Sequence, residues 1–274
     1  MKKLLLLIAG ILISVVSVVR IKQRERGKMT EWVVGIIGNK SDLEKLSMSF
    51  NSPKLCITRD TPQGGTAFIL ESTDFSSLKE HEEVKKKAEE IIPRIIASAR
   101  LSIGLKKQIK AGQVNRIHSN GKRESFIVTS GGIGMGGSAP VEVVEPNGTV
   151  RKILPIEPDS RWLEIAERNK NVAKVMDFLS AETLDWHKLY CVYEKIKEDV
   201  GGIDKIKENK WATKGKIKLF TQTANSHGAI GTEARHSTDK YKPPKNPMVF
   251  SDAIKLIMSI TRKWFNSKLV DFIL

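Results

Sequence analysis

Gln113-Val-Asn-Arg-Ile-His118, then Ser119-Asn120-Gly121, then Lys122-Arg-Glu-Ser-Phe-Ile-Val-Thr129 is the stretch on which the fold turns. Two strand-like runs flank Asn120-Gly121, a strong two-residue hairpin signal because few residues accept the positive φ that such turns need. A hairpin makes its strands antiparallel. Asn147-Gly148 repeats the signal between Val141–Glu145 and Thr149–Leu154.

Working outward, Trp32–Ile37 (WVVGII) and Lys54–Thr58 (KLCIT) read as short strands. Thr66–Glu71 (TAFILE) reads as another, after the turn residues Pro62-Gln63-Gly64-Gly65. A helix separates these from the hairpins. Ser77 with Glu80 three residues later forms a capping-box pattern, and Val84, Ala88, Ile91, Ile95 and Ala99 recur at helical spacing. Pro93 is predicted to kink that helix. The region is therefore an antiparallel sheet with one helix packed on it.

Two prolines in Pro155-Ile-Glu-Pro-Asp159 mark a boundary, and from Arg161 onward the pattern is helical. Asp185 is a cap, Leu189, Val192, Tyr193 and Ile196 make an apolar stripe, and Gly201-Gly202 stops that helix. Short helices are expected over Ile203–Asn209 and Thr213–Thr223. The last runs from Ser251 to Asn266, burying Ala253, Ile254, Ile257, Ile260, Thr261 and Trp264.

The chain is thus α+β in three parts. Residues 1–28 are a transmembrane anchor with a basic juxtamembrane segment, 29–157 an antiparallel sheet domain, and 158–274 an all-α domain.

Composition sets the outer limits. The 274 residues are 40% hydrophobic, which excludes intrinsic disorder, and two cysteines exclude a disulfide scaffold or a multi-cysteine zinc module. The formal net charge is +15. Much of it sits near the start, where residues 1–28 hold seven basic side chains against Glu25 alone. The body is mildly basic, which weakens a nucleic-acid reading.

Leu4–Val19 (LLLLIAGILISVVSVV) carries no charge, and Arg20, Lys22, Arg24, Arg26 and Lys28 follow it. A signal peptide needs a small-residue cleavage site; the best cut, after Ser17 with Val15 at minus three, is poor. The basic flank resists translocation and favours the cytosol. The expectation is a single-pass anchor through residues 4–19 in the cell membrane, the body cytoplasmic, and the five basic residues on anionic lipid head groups. The opposing flank of Lys2, Lys3 and the α-amine is close enough in charge to keep the reverse orientation open. Met29 is the alternative start, which would leave the body without the segment.

Three motifs invite chemistry. Gly132-Ile-Gly134-Met-Gly136-Gly137 matches the dinucleotide fingerprint, but Ser-Ala-Pro and a strand follow it rather than a helix N-terminus, so it reads as a link between strands. Asn225-Ser-His227 with Arg235-His236 gathers two histidines, an arginine and an amide. His227, Arg235 and His236 are the candidates for acid–base work on a phosphodiester, and Asn225, Arg235, His236, Lys240, Lys242 and Lys245 for ligand binding. The two histidines lack a third ligand at recognisable spacing, so no metal and no cofactor is expected. Capping and ion pairing with Glu233 or Asp239 is the plainer reading of the same residues.

The third motif is a lysine run, Lys205, Lys207, Lys210, Lys214, Lys216 and Lys218, joined by Lys240, Lys242 and Lys245. Trp211, Phe220 and Tyr241 lie among them, as stacking on single strands requires, although a solvated helix face explains the same pattern. His81, His118 and His187 read as isolated, and Cys56 and Cys191 as inert thiols without a neighbouring histidine.

Leu189-Tyr-Cys-Val-Tyr-Glu-Lys-Ile-Lys-Glu-Asp-Val-Gly-Gly202, Phe220-Thr-Gln-Thr-Ala-Asn-Ser226, Ala234-Arg-His236 and Pro243-Pro-Lys-Asn-Pro-Met248 resemble a family of uncharacterised bacterial proteins over roughly residues 160–265. The resemblance supports the domain boundary and implies no activity. A more distant similarity is to HEPN-class helical ribonucleases, which carry an arginine, a polar residue and a histidine several residues later. Here His236 follows Arg235 at once, a departure from that pattern. The expectation is a membrane-tethered cytosolic binding protein acting through its helical domain, and not an enzyme. The alternative is a nucleic-acid-binding protein or ribonuclease using the Arg235/His236 region.

Overall fold

The computed structural model describes residues 31–60, 67–126, 161–236 and 241–273. The anchor and its basic flank, the turn at 62–65, the Gly132–Gly137 loop, the second Asn-Gly hairpin, the 155–159 boundary and Lys240 lie outside the described residues. Among the described residues no helix is long and apolar enough to cross a membrane.

The first half is a five-stranded antiparallel sheet. Strands β1 (Trp32–Ile37), β2 (Leu55–Asp60), β3 (Ala67–Ser72), β4 (Lys110–Ile117) and β5 (Arg123–Phe126) lie in the order β2-β3-β1-β4-β5. Alternate residues of the strands point to one face, so Trp32, Val34, Ile57, Phe68, Leu70 and Val114 share one buried cluster. Helix α2 (His81–Ser102) covers that face with Val84, Ala88, Ile91, Ile92 and Ile95.

The deciding hairpin forms, with one correction. His118 N donates to Lys122 O at 2.9 Å, leaving Ser119, Asn120 and Gly121 as a three-residue loop. Only Gly121 has positive φ, at 80°, so glycine alone takes the left-handed position.

Helix α1 (Lys40–Ser49) was not anticipated from periodicity. Asn39 caps it by accepting from Ser41 N and Asp42 N, and Leu43 and Leu46 seat it on the core. Helix α2 starts after Glu80 rather than at Ser77. Glu83 Oε2 accepts from Glu80 N at 3.3 Å, so the capping box is displaced three residues along the chain. The helix continues through Pro93.

The second half is helical, with α3 (Arg161–Arg168), α4 (Lys170–Ser180), α5 (Trp186–Asp199), α6 (Ile203–Glu208), α7 (Lys214–Asn225), α8 (His227–Ile230) and α9 (Phe250–Ile273). Asp185 caps α5 through Lys188 N at 2.7 Å, and Gly201 and Gly202 follow it with φ of 82° and 126°. The last helix runs seven residues past Asn266, because Phe265 and Leu269 extend its buried stripe.

Helix α2 belongs to both halves. Its middle lies in the sheet cluster, while Ala97 and Leu101 near its end lie in the helical cluster. Arg100 donates to the α4 terminal carbonyls of Leu179 and Ala181, each at 2.6 Å, and Arg262 Nε donates to Leu101 O at 3.0 Å. These bonds satisfy carbonyls that helix ends leave unpaired.

Candidate functional site

Helix α5 builds the site. Its inner face buries Trp186, Leu189, Val192, Tyr193 and Ile196, while His187, Cys191 and Glu194 follow one another along an outer edge at helical spacing. Tyr190 sits at the margin, its ring 6.0 Å from Phe220 and stacked on it.

Arg235 returns to this margin from the turn after α8. Its backbone N donates to Ala224 O at 2.9 Å, capping α7. Its guanidinium carbon lies 4.6 Å from the Tyr190 ring centroid, and Nη2 lies 3.2 Å from Glu194 Oε2. The cation is thus held on a ring face and by a carboxylate at once. Asn225 Nδ2 donates to the Tyr190 hydroxyl at 3.3 Å, while Asn225 Oδ1 and Ser226 Oγ are buried with no hydrogen-bond partner among the described residues.

The expected site residues therefore divide. Asn225 and Arg235 meet on Tyr190. His236 turns instead onto Tyr241, with ring centroids 4.9 Å apart and planes 22° from parallel. His227 is exposed at the start of α8, and its side chain makes no hydrogen bond or ion pair among the described residues. Lys242 and Lys245 are exposed on the strap that leads into α9. That strap is tied down where Met248 N donates to Thr223 Oγ1 at 3.0 Å and where Pro243 packs on Gly228.

The aromatic residues of the lysine run are mostly not available for stacking. Phe220 is completely buried among Trp186, Tyr190 and Tyr193, and Trp211 packs against the same core. Tyr241 alone of the three is exposed. Lys205 and Lys207 are paired one turn away with Glu208 and Asp204, as on an ordinary solvated face.

Sequence reading missed Tyr190 and Glu194, which lie more than thirty residues before Asn225 and carried no motif of their own. It also set Cys191 apart from histidine, and the structure corrects this. His187 Nε2 lies 3.6 Å from Cys191 Sγ, since four residues bring side chains together on a helix. The signal was the H-x-x-x-C spacing immediately after the Asp185 cap.

Burial raises the Cys191 thiol above its ordinary value, and the Glu194 and Asp185 carboxylates push the same way against Arg235 and Lys174. It is a protonated thiol at neutral pH. Burial likewise pushes the Tyr193 phenol up to about 12, with Tyr190 and Glu194 adding to the effect.

Two other places gather polar groups. Donor atoms of Glu80, His81 and Glu82 lie within 4.8 Å of one another. They serve the start of α2, however, and the His81 ring stacks on Phe126 at 4.4 Å. An open groove of about 700 Å³ runs along α2 past Asp74, Glu83, Lys86, Glu90, Arg94 and Glu167. Its charges are mixed, and Glu167 is already taken by Lys54 at 2.9 Å and approached by Arg94 at 3.9 Å.

Compared with known protein families, curated proteins and solved structures, the chain matches none, so the resemblance over residues 160–265 assigns it to no family.

Proposed function

We propose that this chain is a membrane-tethered binding protein whose body lies on the cytosolic side and acts through its helical half. The partner is held on the margin of α5 and the strap over residues 241–249. The observation that carries the reading is the double restraint on Arg235, stacked on Tyr190 and paired with Glu194 while still about a third exposed. A cation held that way is pre-organised for an anionic or hydrogen-bonding partner, because little side-chain freedom is left to lose on association. His236 stacks on Tyr241, and the exposed His227 makes no hydrogen bond or ion pair among the described residues, which favours holding over turnover. The uncharged run at 4–19 and the five basic residues after it support the tether and the orientation.

The test uses the full-length chain in its own membranes, with a photo-crosslinking residue at Lys242. Arg235→Ala is expected to lose the crosslinked partner while far-ultraviolet circular dichroism stays unchanged. Robust hydrolysis of generic ester or phosphodiester substrates by the purified chain would count against a binding role.

One observation favours a second reading, single-stranded nucleic acid. The stacked His236–Tyr241 rings are followed in the chain by exposed Lys242 and Lys245, a combination of flat rings and cations that such strands require. Oligonucleotide affinity should then fall with rising salt and weaken further in Tyr241→Ala. If the fold is a ribonuclease, His236→Ala abolishes cleavage. Absence of binding at low ionic strength eliminates this reading.

A further inference from the structure

We infer that His187 and Cys191 form a clip for a thiophilic divalent cation of the zinc type on the outer edge of α5. Both side chains reach solvent, His187 exposed and Cys191 half-buried. Their donor atoms, Nε2 and Sγ, lie 3.6 Å apart. Zinc binds thiolate at about 2.3 Å and imidazole at about 2.05 Å, and at the tetrahedral angle these lengths separate the two donors by roughly 3.5 Å. The separation of the pair therefore matches the bite of a tetrahedral ion.

The helix makes this bite rigid. Residues four apart stand one above the other, and α5 is fixed from below by its buried face and at its start by Asp185. A thiolate with an imidazole selects zinc-like ions over magnesium or calcium, which prefer oxygen. Binding replaces the thiol proton, which leaves to solvent, while the imidazole coordinates as the neutral ring; no electron is transferred. Glu194, one turn further along the same edge, is engaged by Arg235 at 3.2 Å. Asp185, the other nearby carboxylate, is paired with Lys188, so among the described residues water is left to complete the shell, in positions that an incoming ligand can exchange. The clip does not depend on what the strap binds.

Cobalt(II) replaces zinc as a spectroscopic probe in the test. The full-length chain, purified in detergent and kept reduced with a phosphine, is titrated with cobalt(II) and the thiolate-to-cobalt charge-transfer band recorded. The wild type and Cys56→Ser are expected to develop the band at one equivalent, and zinc to displace it. Cys191→Ser should abolish it, and His187→Ala should weaken cobalt binding at least tenfold. Neither substitution disturbs the core, and circular dichroism checks that the fold is kept. No band in the folded wild type overturns the assignment. So does a band that survives Cys191→Ser, or an affinity that His187→Ala leaves within twofold.

Discussion

Arg235 shows how a single side chain acquires a role that its position in the chain does not announce. Removing it forfeits one contact over Tyr190 and one ion pair with Glu194, both partly exposed. Arg235→Ala should therefore cost only about 1 kcal/mol in urea unfolding, even as it removes the partner contact. A loss several times larger would place Arg235 in the scaffold rather than on the binding surface. Tyr193 makes a different prediction. Its folded phenol titrates at about 12, above the ordinary value near 10. The folded state thus holds that proton more tightly than the unfolded chain does. The resulting stability is complete below about pH 10 and is lost as the pH rises through 12. Comparing the pH dependence of unfolding in wild type and Tyr193→Phe isolates this from the lysines, and the variant should be flatter across that window. Asn225 and Arg235 were legible as polar residues in a loop, but their partners were not. Tyr190 and Glu194 are distant in sequence, and their own neighbourhood reads only as a helix.

Among the elements, those with local signals were legible and those set by packing were not. Strand β1 follows the WVVGII run because a short apolar stretch rich in branched side chains, buried from Trp32 through Val34, favours a strand locally. Helix α1 has no clear helical signal because, of its ten residues, Leu43 and Leu46 are the only buried apolar ones and give a thin stripe. Its cap, Asn39, was the better signal. Helix α2 starts after Glu80 rather than Ser77 because two pairs at capping-box spacing stand there, and it is the Glu80/Glu83 pair that forms the box. Phe220 on α7 tests the reassignment of the aromatic residues. It is completely buried and contacts three other rings, so Phe220→Ala should cost about 3–5 kcal/mol. Thermal or denaturant unfolding measures this; a loss below 1 kcal/mol would return Phe220 to the surface as a stacking residue.

At the scale of the whole molecule, Asp199 joins three helices. Its carboxylate accepts from Asn171 Nδ2 at 2.7 Å on α4 and from Trp264 Nε1 at 2.9 Å on α9, and it pairs with Lys268 Nζ at 2.8 Å. Burial alone would raise its pKa, but the bonds from Lys268, Asn171 and Trp264 outweigh burial and hold it below the ordinary value. Its contribution is thus present above roughly pH 4 and is lost as the pH falls through the lowered pKa. Asp199→Ala should cost about 3 kcal/mol at neutral pH, with a smaller difference from wild type in strong acid. A difference unchanged between pH 7 and pH 2 would refute the charged hub. Helix α2 works at the same scale, since one continuous helix lies in both cores and bonds to the end of α4.

Residue order alone determined the α+β class, the antiparallel hairpin around Gly121, the caps at Asp185 and Gly201-Gly202, and the apolar stripe of the last helix. Each rests on neighbours within about four residues, where propensity and periodicity act directly. Only tertiary structure decided that Arg235 rests on Tyr190 while His236 turns to Tyr241, that Phe220 is interior, and that α2 belongs to both cores. Those outcomes depend on which apolar surfaces meet when chain segments far apart in sequence are brought together, and burial is a property of that meeting.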